Sequence, residues 1–514
     1  MRSKKKLSQI NNETRVFYVD SLNGNDQNSG LSENEPLQTL DAAFGNTLYA
    51  GNKVLLKSGG TYAGGVKLTA NGTEEKPIVI SSYGDGEKPV INDFDNDIGI
   101  KVYGEYVEIS NLEFTATKGV NGITCYALDG AVKGIKITDC DFHNINTGFN
   151  KTNYSSGGIT LSATGVKPCW FEDALIENNT FDTVARTAVN LDTHWCAKDK
   201  NQEWGSNIIV NGNGERDSAN SPVYYSKNIT VRGNEIKNNG GDAILLIGAE
   251  DSIVEYNTVE DSGLFKNVGK TIHWASIWFH SSRNCIAQYN SVKGNSDKNG
   301  AADLQAYDSD IACENIIFQY NYSENNAGGF MLICSGVKDE NAANKGTIVR
   351  YNVSVNDGYD TLSGKARQVI DIVDYTKNAH IYNNTIYSSK ENVVLVQFAD
   401  YDGKTDDDKI PPKDNILTNN LFYVEEGVTN TAFRMWDTED ATATLNNNLF
   451  YGVDIPEISG ITVENSVKAD LDLDSDYRPA TDLSGVAIEN NGGKDYNGND
   501  LSGKNIIGAL LAVK

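Results

Sequence analysis

The chain has 514 residues, of which 39% are hydrophobic, 22% charged and 9% aromatic, a composition typical of a folded globular protein and not of a disordered or collagen-like chain. Asp and Glu number 70 against 44 Lys and Arg, so the formal net charge is −26. An excess of this size repels nucleic acid and anionic membrane surfaces, and we expect neither as a partner. No apolar run reaches the roughly 18 residues that a membrane-spanning helix needs.

The first residues resemble part of an export signal. Met1–Lys6 is basic, but the polar stretch SQINNETR follows where a signal peptide requires an apolar segment. We therefore expect that the export signal is absent from this chain or has been removed. Residues 1–15 are predicted to be a tail or linker.

Residues 16–100 are predicted to form an N-terminal cap and the first coils of a repeat structure. Within them, Leu37, Leu40, Ala43 and Phe44 have the spacing of one apolar helix face. A short helix here is predicted to close the open end of the repeat structure, where unpaired strand edges would otherwise be exposed.

A recurring phrase, a β-rich run that ends in Asn and is followed by another apolar residue, sets the period of residues 101–455. Successive intervals from Asn234 are 23, 33, 31, 31, 32, 36 and 28 residues, which indicates a minimum unit with variable insertions. The repeated position is assigned to Asn111, Asp141, Asn179, Asn234, Asn257, Asn290, Asn321, Asn352, Asn384, Asn420 and Asn448.

Each unit contains short runs rich in Val, Ile, Phe and Tyr that are broken by Gly, Asn and Asp, which is typical of β-strands. The sequence therefore predicts an all-β fold, a single right-handed parallel β-helix (solenoid) in which every coil adds one strand to each of three sheets. The asparagines are predicted to stack at a bend and to bond the backbone of neighbouring coils, a structural role. Residues 456–514 are predicted to form a C-terminal cap.

The seven cysteines contain no CxxC spacing, and their number is odd. We interpret them as buried apolar side chains and not as metal ligands or redox centres. They are Cys125, Cys140, Cys169, Cys196, Cys285, Cys313 and Cys334.

Two segments resemble carbohydrate-active enzymes. The N-terminal stretch that ends in GNKVLLKSGGTY resembles the entry segment of many secreted right-handed β-helix lyases and glycoside hydrolases. The segment YDSDIACENIIFQYNYSENNAGGFMLIC, at 307–334, is similar to a phrase in bacterial proteins near glycoside hydrolase family 141, which includes enzymes that act on xylan and fucosylated pectin. The resemblance implies carbohydrate chemistry without specifying the bond that is cleaved.

Side chains on the outer face of the strands that precede the repeated asparagines are the candidates for a site, because successive coils align them in a groove. Asp308 lies 13 residues before Asn321, and Asp371 lies 13 residues before Asn384, which predicts one row with two coil steps between the carboxylates. That separation is about 9.6 Å at about 4.8 Å per coil. It favours an inverting pair over a retaining pair, whose carboxyls lie about 5–5.5 Å apart.

This assignment requires a local bend. Strict alternation from Leu304 would turn Asp308 inward, so the chain must bend near Tyr307. Asp310 is the alternative catalytic partner. Asp residues at strand ends are otherwise turn formers.

The other residues on this face are predicted to bind substrate. Histidines orient a carboxylate or bind sugar hydroxyls, tryptophans offer platforms for sugar rings, and arginines hold a substrate carboxylate or pair with neighbouring acids. The substrate-binding set is Asp192, His194, Trp278, His280, Gln305, Arg367, Gln397, Arg434 and Trp436, with Asn190 outward on the same face and Trp274 as a further platform.

Two acidic segments are poor metal sites. Asp93, Asp95 and Asp97 begin like an EF-hand loop, but Gly99 comes one place late and no Glu occupies the twelfth position. The acidic run at 402–408 is interpreted as a solvated loop. The sequence therefore predicts no required cofactor and leaves calcium open.

These features favour a secreted, monomeric glycoside hydrolase that cleaves a plant cell-wall polysaccharide, of xylan or pectin side-chain type, with paired Asp residues. The first alternative is a polysaccharide lyase that eliminates next to a uronate with the help of calcium. The groove-facing positions contain no lysine, and the net charge of −26 opposes a polyanionic substrate. The second alternative is a non-catalytic carbohydrate-binding β-helix.

Overall fold

A computed structural model describes residues 14–146, 156–196, 223–264, 273–296, 302–335, 342–359, 367–400 and 410–512. Within these ranges most strands belong to one of three long sheets, and every pairing between strands of these sheets is parallel. The predicted all-β parallel β-helix is confirmed. Its right-handed turn, which is the rule for crossovers between parallel strands, stays a prediction.

Sheet A has 15 strands, and each coil adds one strand to its growing edge. Alternate residues along these strands are buried, as expected for a sheet with one face on the core. Its strands are Val16–Val19, Lys53–Lys57, Ile78–Tyr83, Val107–Ser110, Lys136–Thr138, Leu175–Glu177, Thr230–Arg232, Ile253–Glu255, Ile286–Gln288, Ile317–Gln319, Ile348–Arg350, His380–Tyr382, Asn415–Thr418, Ala443–Asn446 and Ile461–Glu464.

Sheet B has 14 strands, and most of them are three residues long. From Asn179 to Asn448, each of the repeated asparagines directly precedes a strand of this sheet, and together they form a ladder along the coil. The central residue points inward, so that the rings of Phe114, Phe142 and Phe181 stack 4.9 Å apart inside the coil. Its strands are Thr61–Ala63, Val90–Asn92, Glu113–Thr115, Asp141–His143, Thr180–Asp182, Glu235–Lys237, Thr258–Glu260, Ser291–Lys293, Tyr322–Glu324, Val353–Val355, Thr385–Ser388, Leu421–Val424, Leu449–Tyr451 and Val467–Lys468.

Sheet C has 12 strands and carries the residues selected from the sequence as a site. Three small sheets lie beside the long ones. The strands of sheet C are Val66–Thr69, Ile98–Tyr103, Asn121–Tyr126, Gly157–Ala163, Thr187–Thr193, Ile244–Ile247, Ile277–His280, Gln305–Ser309, Gly329–Ile333, Gln368–Val373, Val394–Ala399 and Thr431–Trp436; those of the small sheets are Gly130–Lys133, Cys169–Glu172, Ser226–Lys227 and Ala249–Glu250, then His273–Trp274 and Ala302–Asp303, then Asn344–Lys345 and Thr376–Lys377.

The asparagine ladder is confirmed as a structural device. Asn234 Oδ1 accepts hydrogen bonds from the backbone N and from Nδ2 of Asn179, both at 3.0 Å, and its own Nδ2 donates to Ile176 O. The same pattern continues coil by coil to Asn448. Each link satisfies buried amide groups at the bend.

The two earliest ladder assignments are wrong by one residue. Cys140 and Leu112 occupy the ladder position, since Cys140 N donates to Asn179 Oδ1 and each of these residues directly precedes a strand of sheet B. Asn111 instead adopts a left-handed turn, with φ of 55°. Asp141 is the first residue of its strand. Buried apolar side chains replace the polar ladder in these coils.

A second, shorter ladder was not anticipated from the sequence. Asn295 N donates to Asn326 Oδ1 at 3.1 Å, and Asn326 N donates to Asp357 Oδ1 at 2.9 Å. Asp357 ends this ladder with a carboxylate that is 1% exposed.

The predicted N-terminal helix is present as Leu40–Phe44. Thr39 caps it through a hydrogen bond from Ala42 N to Thr39 Oγ1, and Leu40 and Ala43 are buried. The helix contacts the first strand of sheet C, Val66–Thr69. No helix among the described residues is long and apolar enough to cross a membrane.

The C-terminal segment lies along the side of the coil. Leu501 and Ile506 pack with tyrosines of successive coils, and Asn419 accepts from Val486 N. Further along, Arg350 donates to Asn490 O. These contacts describe a strap along the side of the coil, and the predicted closure of its C-terminal end stays a prediction.

All seven cysteines are free, and six of them are buried. The interpretation as apolar core residues is confirmed for those six. Cys334 is partly exposed and lies in the candidate site.

Candidate active site

The outer face of sheet C carries one row of side chains across eight coils, here called the outer row. Strand register places Asp308 beside Leu332 and Leu332 beside Asp371, so the two predicted carboxylates share this row. Their strands lie about 9.6 Å apart at about 4.8 Å per coil, and the predicted alignment is confirmed. In coil order, the outer row comprises Asn190, Leu245, Trp278, Asp308, Leu332, Asp371, Gln397 and Arg434.

A break before the strand Gln305–Ser309 sets the direction of Asp308. Asp303 and Leu304 both adopt left-handed backbone angles, with φ of 69° and 70°, and Leu304 packs with Trp274 apart from the main core. Alternation restarts after this break, so Tyr307 joins the core and Asp308 points outward. The sequence predicts a bend near Tyr307, and the structure places it three residues earlier.

Asp371 lies in a closed network of amides. Its Oδ1 accepts from Gln397 Nε2 at 3.0 Å, and its Oδ2 accepts from Gln368 Nε2 at 2.7 Å. Burial raises the pKa of Asp371 to about 7, although the two amide donors favour the charged form. The carboxyl is 2% exposed and is partly protonated near neutral pH.

Asp308 is also buried, with 4% exposure. Burial raises its pKa well above the usual range, and the nearby carboxylates of Asp310 and Asp303 raise it further. The site therefore disfavours the charged form of Asp308. Its Oδ1 has no hydrogen-bond partner among the residues that the structure describes.

Asp310 follows the same strand and is partly exposed. Its Oδ1 accepts from Ile311 N at 2.6 Å and from Cys334 Sγ at 3.0 Å. Burial raises the pKa of the Cys334 thiol, so it remains a protonated donor. One ligand atom from each of Asp308, Asp310 and Cys334 lies within 4.8 Å of the other two.

Asp303 is the other partly exposed carboxylate, with 30% of its side chain accessible. Its Oδ2 lies 3.0 Å from His273 Nδ1. This hydrogen bond raises the pKa of His273, and the Asp310 carboxylate adds to the same effect. Asp303 and Asp310 therefore both lie near His273. Both carboxylates also raise the pKa of Asp308.

A buried ion pair supports the His273 strand. Arg186 Nε donates to Asp242 Oδ2 at 2.6 Å, and Arg186 Nη2 donates to His273 O at 2.5 Å. Trp278 Nε1 donates to the other oxygen of Asp242 at 2.8 Å. Burial raises the pKa of Asp242, while Arg186 opposes the shift. The network holds the backbone next to Asp303 in place.

Three of the side chains that were predicted to contact a sugar are buried. Trp274 and Trp278 are 2% and 5% exposed, and the indole N–H of Trp278 donates a hydrogen bond to Asp242. His280 is buried, its Nδ1 lies 2.8 Å from Ser281 Oγ, and burial lowers its pKa, so the ring is neutral. The expectation that these rings face a sugar is corrected, because the coil packing encloses them.

At the far end of the outer row, Arg434 Nε donates to Gln397 Oε1 at 2.7 Å, and Gln397 in turn donates to Asp371. The Arg434 guanidinium lies 4.8 Å from the centroid of the Trp436 ring. Trp436 is 48% exposed and is accessible to a ligand. These residues stand two coils or more from Asp308, about 10 Å or further.

The remaining predicted binders are dispersed. Asp192 and His194 are partly exposed at the end of Thr187–Thr193, three coils from Asp308, or about 14 Å. Arg367 is partly exposed directly before the strand that carries Asp371. Gln305 is 1% exposed, and its Oε1 has no hydrogen-bond partner in the described part of the chain.

The first acidic segment rejected as a metal site forms ion pairs instead. Asp97 pairs with Lys101 at 2.6 Å, and Asp95 pairs with Lys118 at 3.4 Å. The run at 402–408 lies entirely outside the described residues.

Sequence reasoning missed Asp303, His273, Asp242 and Arg186. Asp303 and His273 lie 30 positions apart, and Arg186 and Asp242 lie 56 positions apart, so each pair meets only across coils. The one local signal is the ADLQAYDSD stretch, whose acids at 303, 308 and 310 cannot all alternate to one face without a break.

The scan against protein families matches no family model. The lacto-N-biosidase of Bifidobacterium longum subsp. longum is 24% identical over 526 aligned residues, which cover 85% of this chain and 30% of that protein. The chain thus spans less than a third of the length of this curated relative.

Several solved structures match this fold, among them the following two. The GH136 lacto-N-biosidase of Eubacterium ramulus matches with a TM-score of 0.58 and 22% identity, over 81% of this chain and 68% of the other. XylC, solved with xylose, matches with a TM-score of 0.54 and 12% identity, over 97% and 98%. The narrower resemblance to family 141 is not shown by these matches. The chain is similar in fold and sequence to carbohydrate-active enzymes of the β-helix class.

Proposed function

We propose that this protein is a glycoside hydrolase whose catalytic carboxylates are Asp303 and Asp310. The observation that carries the proposal is their position beside sheet C, where two partly exposed carboxylates lie close enough to the buried Asp308 to raise its pKa. Hydrolysis of a glycosidic bond needs one carboxyl group that protonates the leaving oxygen and one carboxylate that attacks the sugar or activates water.

The surroundings distinguish the two roles. Asp303 is paired with the raised-pKa imidazole of His273, which supplies a proton to the pair, and we assign Asp303 as the acid. Asp310 is held by a backbone N–H and by the Cys334 thiol, and we assign it as the nucleophile or base.

The pair Asp308 and Asp371, chosen from the sequence, is the competing assignment. Both carboxyls lie on the predicted row, but they are 4% and 2% exposed, so a substrate reaches neither without a rearrangement of the site. The expectation of an inverting mechanism rests on that pair and does not transfer to Asp303 and Asp310.

For the substrate, the similarity to lacto-N-biosidases favours an oligosaccharide of the kind that these enzymes cleave. This proposal replaces the expectation of xylan or pectin, for which the comparisons give no sequence support. A lyase is disfavoured because the outer row contains no lysine and its arginine, Arg434, is bonded to Gln397. We also propose that the protein acts outside the cell and as a monomer.

The test is release of sugar from the aryl glycoside of lacto-N-biose, with xylan, pectin and a uronate polymer as comparison substrates. Asp303→Asn and Asp310→Asn are each expected to lower kcat by about 10²–10⁴-fold, and Asp371→Asn much less. Asp454→Asn, which changes an exposed carboxylate in a surface ion pair, is the control.

Full activity in Asp310→Asn with loss in Asp371→Asn would move catalysis to the competing pair. Unsaturated products from the uronate polymer would indicate a lyase. EDTA treatment in the same assay tests whether calcium contributes.

A further inference from the structure

One residue with a left-handed backbone lies at each corner between sheets A and B, directly before the ladder asparagine. These residues form a second column along the coil, here called the turn column. Most coils use Asn or Gly, which adopt this backbone readily, but four successive coils use tyrosine, for which it is unfavourable. The turn column comprises Asn178, Gly233, Tyr256, Tyr289, Tyr320, Tyr351, Asn383, Asn419 and Asn447.

The strap explains the two inner tyrosines of the turn column. Tyr320 and Tyr351 are 4% and 1% exposed, and they pack with Leu501 and Ile506 of the strap. Their rings bury apolar surface between the coil and the strap, which offsets the cost of the left-handed backbone.

The outer end of the tyrosine stack has no such explanation. The rings of Tyr256 and Tyr289 are nearly parallel, with their centroids 5.0 Å apart, yet Tyr256 is 55% exposed. In the preceding coil the turn column holds Gly233, whose strand pairs in register with that of Tyr256. Glycine has no side chain to cover the other face of the Tyr256 ring, which is therefore accessible to a ligand.

This exposed ring borders a groove of about 710 Å³ that is open to solvent. Tyr256 and Tyr289 line it from the coil, and the loop 494–498 lines it from the strap. The volume lies within the roughly 300–1,000 Å³ of small-ligand sites. Among the described residues that line the groove, none is aliphatic, and tyrosine, lysine, asparagine, serine and glycine make up the whole lining. Such a lining offers ring faces and hydrogen-bonding groups but no pocket for an aliphatic anchor of a peptide or lipid.

The strap side of the groove is held by a buried carboxylate. Asp495 is 1% exposed, its Oδ1 accepts from Asn499 N at 2.8 Å, and its Oδ2 accepts from Leu511 N at 3.2 Å. Tyr496 N donates to Ala509 O at 2.8 Å. Because these bonds fix the loop before a ligand arrives, little ordering is needed on binding.

The charge of the lining favours an uncharged ligand. The described lining residues include two lysines and no carboxylate. Lys293 is paired with Glu324 at 3.4 Å, and its ammonium lies 5.0 Å from the centroid of the Tyr322 ring. Lys494 is exposed. One unpaired lysine is too little positive charge to select a polyanion, and without a carboxylate the lining does not select a cation.

We propose that the groove between the outer tyrosines and the loop 494–498 binds a neutral oligosaccharide, apart from the catalytic site. The face of an aromatic ring is negative and attracts the C–H groups on one side of a sugar ring, so Tyr256 serves as the platform. Asn497 and the lysines supply hydrogen bonds to sugar hydroxyls. The groove lies at the corner of sheets A and B, whereas Asp303 and Asp310 lie beside sheet C. The inference goes beyond the proposed hydrolase function and does not depend on it.

The test removes the platform by Tyr256→Asn. Asparagine occupies the same left-handed position in other coils, as at Asn178 and Asn383, so the variant is expected to fold. Calorimetric titration of the full chain uses xylotetraose, cellotetraose and lacto-N-tetraose as probes, with Asp310→Asn present in every sample to prevent turnover. At least one probe is expected to bind, and Tyr256→Asn should weaken that binding by about tenfold, or about 1.4 kcal/mol.

Hydrogen exchange of the same samples locates the bound probe. Protection is expected in 253–260 and 494–498, and it should be lost in Tyr256→Asn. In chains with an intact Asp310, Tyr256→Asn should leave kcat on the aryl glycoside of lacto-N-biose unchanged. Tyr256→Phe keeps the ring and should bind within about threefold of the unsubstituted groove. Tyr106→Asn is the matched control, since Tyr106 also has a left-handed backbone, with φ of 51°, and lies outside the groove.

Binding of none of the three probes, unchanged affinity in Tyr256→Asn, or protection confined to sheet C would each overturn the proposal. Sedimentation that shows a wild-type dimer and its loss in Tyr256→Asn would assign the groove to a second copy of the chain instead.

The two proposals fail separately. Loss of sugar release in Asp310→Asn together with unchanged affinity in Tyr256→Asn would retain the hydrolase and reject the groove. Lost affinity in Tyr256→Asn without turnover of any substrate by the wild type would retain the groove and reject the hydrolase.

Discussion

Asp357 ends the second ladder with a carboxyl group where the other ladder positions carry amides. Its Oδ1 accepts from Asn326 N and Nδ2 at 2.9 and 2.8 Å, and its Oδ2 accepts from Ser354 Oγ at 2.7 Å and from the hydroxyl of Ser323. Burial nevertheless raises its pKa from 3.8 to about 6. The fold therefore disfavours the charged carboxylate that prevails at neutral pH.

The raised pKa sets the sign and the size of the contribution that Asp357 makes to the pH dependence of stability. Between pH 3.8 and about 6 the folded chain binds more protons at Asp357 than the unfolded chain, so the stability contributed by this group falls as pH rises. The difference of about two pKa units corresponds to about 3 kcal/mol, since one unit is about 1.36 kcal/mol. Asp357→Asn abolishes the ionisation and keeps the acceptor for Asn326. The serine hydroxyls can turn to accept from the new amide.

We therefore expect Asp357→Asn to raise the free energy of unfolding by up to about 3 kcal/mol at pH 7.5 and to change it little at pH 4. Urea denaturation of wild type and variant at both pH values measures this difference. Asp85→Asn, in an exposed turn, is the control and should show no pH-dependent gain. A variant that is less stable than wild type at pH 7.5, or equally shifted at both pH values, would refute the reasoning.

Three other substitutions test separate parts of the structure. Asn257→Ala removes the acceptor for the backbone N and for Nδ2 of Asn234. It should lower the free energy of unfolding, measured by urea denaturation, by at least about 2 kcal/mol. An unchanged midpoint would contradict a structural role for the ladder. Asp242→Asn removes the carboxylate that pairs with the buried Arg186 charge and should lower the free energy of unfolding by about 3–5 kcal/mol in the same measurement. A neutral effect would mean that the other contacts of Arg186 compensate for the lost carboxylate. Cys334→Ala removes a donor to the catalytic Asp310 and should lower kcat about tenfold, while Cys334→Ser should retain most of it; equal rates in both variants would exclude the thiol from positioning Asp310.

The repeat pattern in the sequence was sufficient to predict much of the architecture. Period-two alternation and the spacing of asparagines determine which residues enter the core, because each coil must present the same faces to its neighbours. Counting from the ladder also placed Asp308 and Asp371 in one row, which the register confirms. The same counting failed at Asn111 and Asp141, where the ladder position holds buried apolar residues one place away.

Only the tertiary structure shows which side chains are exposed and which residues of different coils are partners. The break at Asp303 and Leu304 coincides with packing against Trp274 from another coil, and it sets which of three neighbouring acids reaches solvent. The Asp303–His273 pair joins residues that no local pattern links. The sequence thus determined the coil and the row of carboxyls, because both follow from local periodicity. The tertiary structure decided which carboxyls can act, because their charge and accessibility depend on contacts between distant segments.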